Sequence, residues 1–417
     1  MGAQCAPQEC APGQRCAPVA ETCRETCAGL RQKPIVTSRF EVEDQVAQVK
    51  HVLQISDILS HLDADALRDD VDRFDDEAIR DAWAMAQDAR DNGEDMHLYR
   101  APRIAAWVGK RTPAHTEGSI VTAPSIVPAA QRRMFRSLGM QVVGERDIGL
   151  VIMAAGSKGC VNGIPVCMQQ IGLPSRKTIL ELLIQRALRL NHIVERAKPN
   201  MFRKTGKMMP IYILAPDRFL DEMSNKLVAD NFYGYMQDEV MFFSQDDHPT
   251  LDTQGQFVLT EAKRLMMHPC GNGGVYGAMV QQGVLNDMRV RNLEMLYIVN
   301  SDNLLARVAD PDFIGLARAV RADAAVKVTD RLSPEDDLGA VIEHRSRGAD
   351  HWVGGCMEFE EMPPAHRARR EPNGSLYFIA GNLGHYIISA KFAGSAMAAM
   401  RQWHAVPWAG AHFCPER

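Results

Sequence analysis

Several short stretches of this chain place small, amide-bearing or acidic residues where phosphate chemistry would need them. The first is "VIMAAGSKGCVNGIPVCMQQIGLPSRKT", Val151 to Thr178, an apolar run that enters a glycine-rich turn. Small residues at Ala154, Ala155, Gly156, Gly159 and Gly163 let the backbone approach a ligand and aim N–H groups at phosphate oxygens. The spacing matches neither G-x-x-x-x-G-K-[ST] nor G-x-G-x-x-G, which excludes a P-loop and a dinucleotide fingerprint. A tight strand-to-helix turn without a ligand has the same composition. The second stretch, "HPCGNGGVYGAM", sets Gly271, Asn272, Gly273 and Gly274 before an apolar helix start, and reads either as a polar-ligand cradle or as a plain helix entry. The third, "LYIVNSDN", ends in Asp302, where a carboxylate would hold Mg²⁺ against substrate phosphates or would serve as a helix cap or Asx turn. Glu358 in "GGCMEFEEM" and Asn382 in "FIAGNLGHYII" are of types that bind sugar hydroxyls, although by type alone they read as surface residues.

Elements of the right kind flank these stretches. Short apolar, β-branched runs recur as "IGLVIMAAG", "MPIYILAP", "EVMFFSQ", "EMLYIVNSDN" and "AAVKVTD". Helical patterns lie between them, above all "RKTILELLIQRALRLNHIVERA", whose Ile179, Leu182, Leu183, Ala187 and Leu190 form one stripe. Thr178 followed by Glu181 predicts a capping box at its start. Alternation of strand and helix predicts an α/β fold with a mostly parallel sheet and helices on both faces. Ligands in such sheets sit beyond the carboxyl ends of the strands, where the stretches above fall.

At 417 residues the chain has room for two or three domains. Residues 1–45 read as a Cys/Pro/Ala-rich disordered tail, 46–145 as a helical region and linker, 146–405 as the core and 406–417 as a C-terminal remnant. The net charge of −5 supplies no basic field for nucleic acid or anionic membrane. No apolar run long enough to span a bilayer occurs, and the start lacks a signal-peptide h-region. Five of the ten cysteines lie in the first 27 residues without a CxxC pair, which argues against structural zinc. The default is a reduced, cytoplasmic compartment in which the core cysteines act as small packing residues.

Taken in order, "GLPSRKT", "GNGGVY", "SDNLLARVADPDFIG" and "FIAGN" resemble the UDP-N-acetylglucosamine pyrophosphorylases within the UDP-sugar pyrophosphorylase family, over roughly residues 50–405. The resemblance implies a Rossmann-like nucleotide-diphospho-sugar transferase core with a mixed, mostly parallel sheet. It implies UTP and a sugar 1-phosphate, N-acetylglucosamine 1-phosphate first, as substrates, with pyrophosphate released and Mg²⁺ (or Mn²⁺) as cofactor. By the same resemblance Ala155, Gly156, Gly159, Gly271 and Asn272 would line the nucleotide and Gln245 would read the uracil edge. Glu358, Asn382 and Lys327 would serve the sugar side, and Asp302 the metal. Oligomeric state is not implied.

The match departs from the family at the cations. The family's loop L-A-G-G-x-G-T-R-L-G carries an Arg and is followed by a lysine after a proline. Here the loop is "MAAGSKGCVNG", and Val166 follows Pro165. Lys158, inside the loop, is the residue expected to supply part of the missing charge. Cys270 stands where the family has Asp, and Ile379 where it has Asn. The family also continues past "QWHAVPW" into a lysine-bearing segment, whereas this sequence stops at Arg417. The alternative reading is therefore a catalytically impaired homologue that binds a nucleotide, a sugar nucleotide or a partner.

Overall fold

The computed structural model describes residues 97–104, 120–121 and most of 127–394. Within that last span it leaves out 155–159, 162–163, 198, 201–206, 246, 250–263, 270–272, 302, 304, 306, 347–351 and 360. The expected N-terminal tail, most of the expected helical region and the C-terminal remnant lie outside the described residues. The chain divides into two compact units, one of them residues 1–74, 249–266 and 413–417, and the other the remainder. The elements below all belong to the second unit.

Nine strands among the described residues join one mixed sheet. They are β1 (His97–Arg100), β2 (Ile148–Met153), β3 (Ile211–Pro216), β4 (Val240–Gln245), β5 (Met295–Asn300), β6 (Ala324–Asp330), β7 (Ala340–Ser346), β8 (Val353–Met357) and β9 (Ala380–Ser389). The order across it is β1-β7-β9-β5-β2-β3-β4, with β6 added to β9 and β8 to β7. Strands β5, β2, β3 and β4 run parallel. Beyond β5 the pairings are antiparallel. All six residues of β2 are buried, as a strand covered on both faces requires. Strand β1 falls in the region expected to be helix and linker. Four residues are too few to show alternation, and it is the pairing with β7 that makes them a strand.

Six helices among the described residues pack on the sheet: α1 (Ala129–Glu145), α2 (Ile179–Ala197), α3 (Leu220–Ala229), α4 (Gly274–Gln281), α5 (Val284–Val290) and α6 (Pro311–Val320), and a five-residue helix, Pro364–Ala368, follows β8. One core cluster packs Val142 of α1, Leu183 of α2, Met223 of α3 and Ile314 of α6 against Ile152, Ile213 and Tyr297. A second, on the opposite face, packs Val275 and Met279 of α4 and Met288 of α5 against Val151, Phe243 and Ile298. The expected cap of α2 is present, since the Glu181 N–H donates to Thr178 Oγ1 at 3.2 Å. Helices α1 and α6 cross with backbones in contact. A Cβ on Gly139 would overlap the Pro311 carbonyl, and one on Gly315 the Phe135 carbonyl.

At the amino end of the parallel strands, Arg146 terminates α1 in a left-handed conformation (φ 61°). Its guanidinium then reaches the buried Glu239 at 2.5 Å, which Arg291 also contacts at 2.5 Å. Arg291 binds Asp287 as well, and Asp287 accepts from the Tyr212 hydroxyl at 2.7 Å. This network ties α1, β4, α5 and β3 together. Removing the carboxylate charge leaves two guanidinium groups without their shared partner, so Glu239→Gln is expected to cost about 3 kcal/mol. Urea unfolding checks this: the midpoint should fall with an unchanged slope, and a shift within error would refute it.

Candidate nucleotide-sugar site

Strands β2 and β5 are neighbours in register, with Asn300 opposite Met153. The Ser301 N–H donates to Met153 O at 3.2 Å, and the Ala154 N–H to Leu214 O at 2.9 Å. The glycine-rich loop and the segment bearing Asp302 therefore leave the sheet side by side, at the carboxyl end of its parallel half. Ala155, Gly156, Lys158 and Gly159, like Gly271, Asn272 and Asp302, lie outside the described residues. What the structure does locate is the base from which each of these segments springs.

Gln245 is the last residue of β4, two strands from β2 and so about 10 Å away. Its side chain is buried (3% exposed), and its Oε1 has no hydrogen-bond partner among the described residues. A buried amide oxygen without a partner is costly unless a donor arrives with a ligand. Helix α4 begins at Gly274, directly after Gly271 and Asn272, and packs against the same face as Phe243 of β4. The described end of the second glycine-rich stretch, Gly273 and Gly274, is therefore held on that face of the sheet.

Strand β9 carries the expected sugar residue Asn382, which is 9% exposed and not a surface side chain. Its Nδ2 donates to the Tyr386 hydroxyl at 2.5 Å, and its Oδ1 accepts from the Gly384 N–H at 2.9 Å. A register shift opposite Val326 and Val328 puts Asn382 and Tyr386 across from those two residues. Gly384, at φ 69°, lies between them against the Asn300 side chain. Burial raises the Tyr386 phenol above its ordinary range, and the nearby Cys356, Glu358 and Tyr276 push it the same way. Tyr386 thus bonds Asn382, packs with Tyr276 of α4 against the second core cluster and feels the charge of Glu358. Gly339 adjoins both Asn382 and Glu358: its carbonyl accepts from the Asn382 N–H at 2.7 Å, and a Cβ there would come within 2.9 Å of Glu358 Oε2. Tyr276, Tyr386 and Gly339 were not singled out from the sequence. The spacing of Tyr386 four residues after Asn382 becomes a signal only once the register shift is known.

Lys327 goes elsewhere. Its Nζ binds Asp310 Oδ2 at 2.7 Å and lies 5.5 Å from the Phe313 ring centroid, at the start of α6. Beside it, His385 is fully buried, with Nδ1 3.0 Å from the Tyr297 hydroxyl. That hydroxyl donates to Arg307 O, so His385 is assigned the Nδ1–H tautomer. Its Nε2 has no partner among the described residues. Lys327, His385 and Tyr297 together hold the end of the Ser301–Asp310 segment against the sheet.

Val166 lies in a short 3₁₀ turn (Val166–Met168) and packs against the first core cluster next to buried Cys167. Its side chain serves packing at the position where the resemblance leads to the expectation of a cation. Cys167 behaves as the small packing residue its sequence context suggested. Among the described residues no group of three or more His, Cys, Asp or Glu side chains is placed to hold a metal. None of their helices is long and apolar enough to cross a membrane.

A Rossmann-like sheet with the bases of its glycine-rich segments at its carboxyl edge, and a group of polar side chains on its antiparallel flank, defines a nucleotidyltransferase-like α/β protein. The family model described as UTP–glucose-1-phosphate uridylyltransferase matches residues 149–382, more than half of the chain, and the chain belongs to that family. The UDP-N-acetylhexosamine pyrophosphorylase-like protein 1 of Xenopus tropicalis is 30% identical over 246 residues, 58% of this chain and 46% of that protein. The UDP-N-acetylglucosamine diphosphorylase 2 of Arabidopsis thaliana is 26% identical over 320 residues, 72% of this chain and 60% of that protein. The chain spans about half the length of the curated relatives it matches. Among solved structures, the uridine diphosphate N-acetylglucosamine pyrophosphorylase of Trypanosoma brucei superposes with a TM-score of 0.64 at 19% identity, over 89% of this chain and 70% of that one. A putative UDP-N-acetylglucosamine pyrophosphorylase from Entamoeba histolytica superposes with a TM-score of 0.56 at 18% identity, over 64% of each chain. These superpositions establish the shared fold.

Burial holds the His385 imidazole down to about 4 from 6.5, with Lys327 adding to the shift and Asp310 opposing it. A folded-state value below the unfolded one means the unfolded chain binds the proton first as pH falls. The contribution is complete above about pH 6.5 and is lost between there and about pH 4, by about 3 kcal/mol. Denaturation midpoints across that window should fall for the parent chain and flatten for His385→Gln. An unchanged acid limb in the variant would exclude His385 as its source.

Proposed function

We propose that this chain joins UTP to N-acetylglucosamine 1-phosphate, giving UDP-N-acetylglucosamine and pyrophosphate. The observation that carries the reading is the pairing of the β2 and β5 ends. It brings the described bases of the glycine-rich loop and of the Asp302 segment side by side, with Gln245, whose Oε1 has no partner among the described residues, on one side and Asn382, Tyr386 and Glu358 on the other. Gln245 is suited to read a base edge, and Asn382 and Glu358 to hold sugar hydroxyls. The sugar phosphate is already anionic, so in-line attack on the α-phosphorus requires no general base. Positioning and positive charge are the protein's contribution.

Magnesium fits the donor set in kind, because Asn300, Ser301 and Asp302 offer only oxygen or amide ligands. A Mg²⁺ held by one or two carboxylates plus substrate phosphates requires no larger cluster. Asp302 would hold it, and when bound the ion would supply positive charge for the substrate phosphates. Lys158 is the loop residue placed in sequence to add charge, although an ammonium does not reproduce a guanidinium fork.

A second reading, a homologue that binds the nucleotide sugar with little turnover, is favoured by Val166. Its apolar side chain belongs to the core at the point where a cation is needed. The two readings are separated by pyrophosphate release from UTP, Mg²⁺ and a panel of sugar 1-phosphates. The parent chain is expected to react slowly, with N-acetylglucosamine 1-phosphate preferred. Val166→Lys should raise kcat by about 10²-fold, the usual worth of one preorganised charge. Release from neither protein, both shown to be folded and to bind UDP-N-acetylglucosamine, would establish the binding-only reading.

A further inference from the structure

Arg331, directly after β6, is the largest fully buried side chain among the described residues, at 1% exposed. It has no carboxylate contact among them. The acid whose charge reaches it, Asp336, spends its Oδ2 on the N–H groups of Leu332 (2.7 Å) and Ser333 (3.1 Å). The Nε and Nη2 of Arg331 have no partner among the described residues. Burial holds the guanidinium below its ordinary value, and Arg367 adds to that. A buried cation in this condition is expensive, and an apolar side chain of the same length would fill the space at lower cost.

The contacts it does make join two segments. Its N–H donates to Ile379 O at 2.7 Å, and its Nη1 to Phe378 O at 3.1 Å. One residue thus grips consecutive carbonyls immediately before β9. Its Cγ lies 2.8 Å from where a Cβ on Gly381 would stand, so its stem presses on the residue before Asn382. On the other side Nη1 lies 3.8 Å from the Met362 sulfur. Met362 closes the turn that begins at Glu358, its N–H donating to Glu358 O at 3.1 Å. Arg331 therefore lies behind both residues assigned to the sugar, touching the backbone that carries one and the turn that carries the other.

We infer that Arg331 is a positioning residue for the sugar half of the site, coupling the Asn382 strand to the Glu358 turn, and that its uncompensated burial is the stability cost of that coupling. The inference rests on the reading of Asn382 and Glu358 as sugar-binding. It is independent of whether the chain turns over. Asn382 projects to the side of Tyr386, and the Arg331 stem supports the strand from the residue before it. The side chain acts on the ligand only through these two segments.

The test uses the full chain with Arg331→Met and Arg331→Lys. Binding of UDP-N-acetylglucosamine and of UMP is measured by calorimetry, alongside urea unfolding. Arg331→Met should weaken UDP-N-acetylglucosamine by about tenfold or more while leaving UMP unchanged, without lowering the unfolding midpoint. Arg331→Lys, which keeps one donor for Phe378 O, should fall between. In the ligand-free chain, hydrogen exchange at the Asn382 and Met362 amides should quicken together by about tenfold in Arg331→Met, with Leu183 in α2 unchanged. Equal weakening of both ligands with a lowered midpoint would overturn the inference in favour of a general structural role. Faster exchange at only one of the two amides would overturn the coupling. If the Met variant does not fold, the Lys variant carries the same comparisons. A parent chain that binds neither ligand would refute the proposed function, while the exchange comparison would still decide the coupling.

Discussion

The site depends on how two strands end, one buried throughout and the other buried in all but its last residue, Asn300. β2 and β5 have no polar face to give to solvent, so their backbone groups must pair with each other and with β3 and β9. In the register that results, Met153 and Asn300 finish level, and the next N–H on each chain is already committed, Ser301 to Met153 and Ala154 to Leu214. The exits of the two segments are therefore fixed by core pairing, before any side chain of the candidate site is considered. The glycine contact between α1 and α6 adds to this, because it allows α6 to start directly behind the Ser301–Asp310 connection.

The antiparallel flank works differently. Its strands have two unlike sides, and β9 uses both. Asn382 and Tyr386 look toward α4, while Gly381 and His385 lie against Arg331 and Tyr297. The shift between Val326 and Val328 makes that division possible by inserting residues on β9, and Gly384 absorbs the backbone turn at positive φ. Buried here without a partner among the described residues are His385 Nε2 and the Nε and Nη2 of Arg331. Buried polar groups that lack partners are a reservoir of cost that a purely structural flank would have shed.

Charge sets the other limit. Membership of the uridylyltransferase family and the shared fold describe the scaffold, whereas transfer from a triphosphate requires cations aimed at the leaving group. Val166 shows why one of them is not regained by a local movement: its side chain is part of the packing around Cys167. A lysine there would have to leave that packing to reach solvent or phosphate, which its long stem allows.

The amino-acid sequence by itself determined the elements and the kinship. The runs Ile148–Met153, Ile211–Pro216, Val240–Gln245, Met295–Asn300 and Ala324–Asp330 are strands as their patterning predicts, and Thr178 caps α2. These are local matters of periodicity and turn chemistry, and the loss of the loop Arg and Lys is likewise legible residue by residue. Only the tertiary structure decided which polar residues meet. Asn382 looked like a surface residue and is buried against Tyr386; Lys327 was matched to the sugar and pairs with Asp310; Arg331 and His385 carried no signal at all. Even β1 exists only because β7 offers it an edge. The Asn382–Tyr386 pair is only four residues apart but meets where the pairing with β6 shifts, and the others depend on partners tens to hundreds of residues away, so the contact energy that selects them is absent from any short window of the chain.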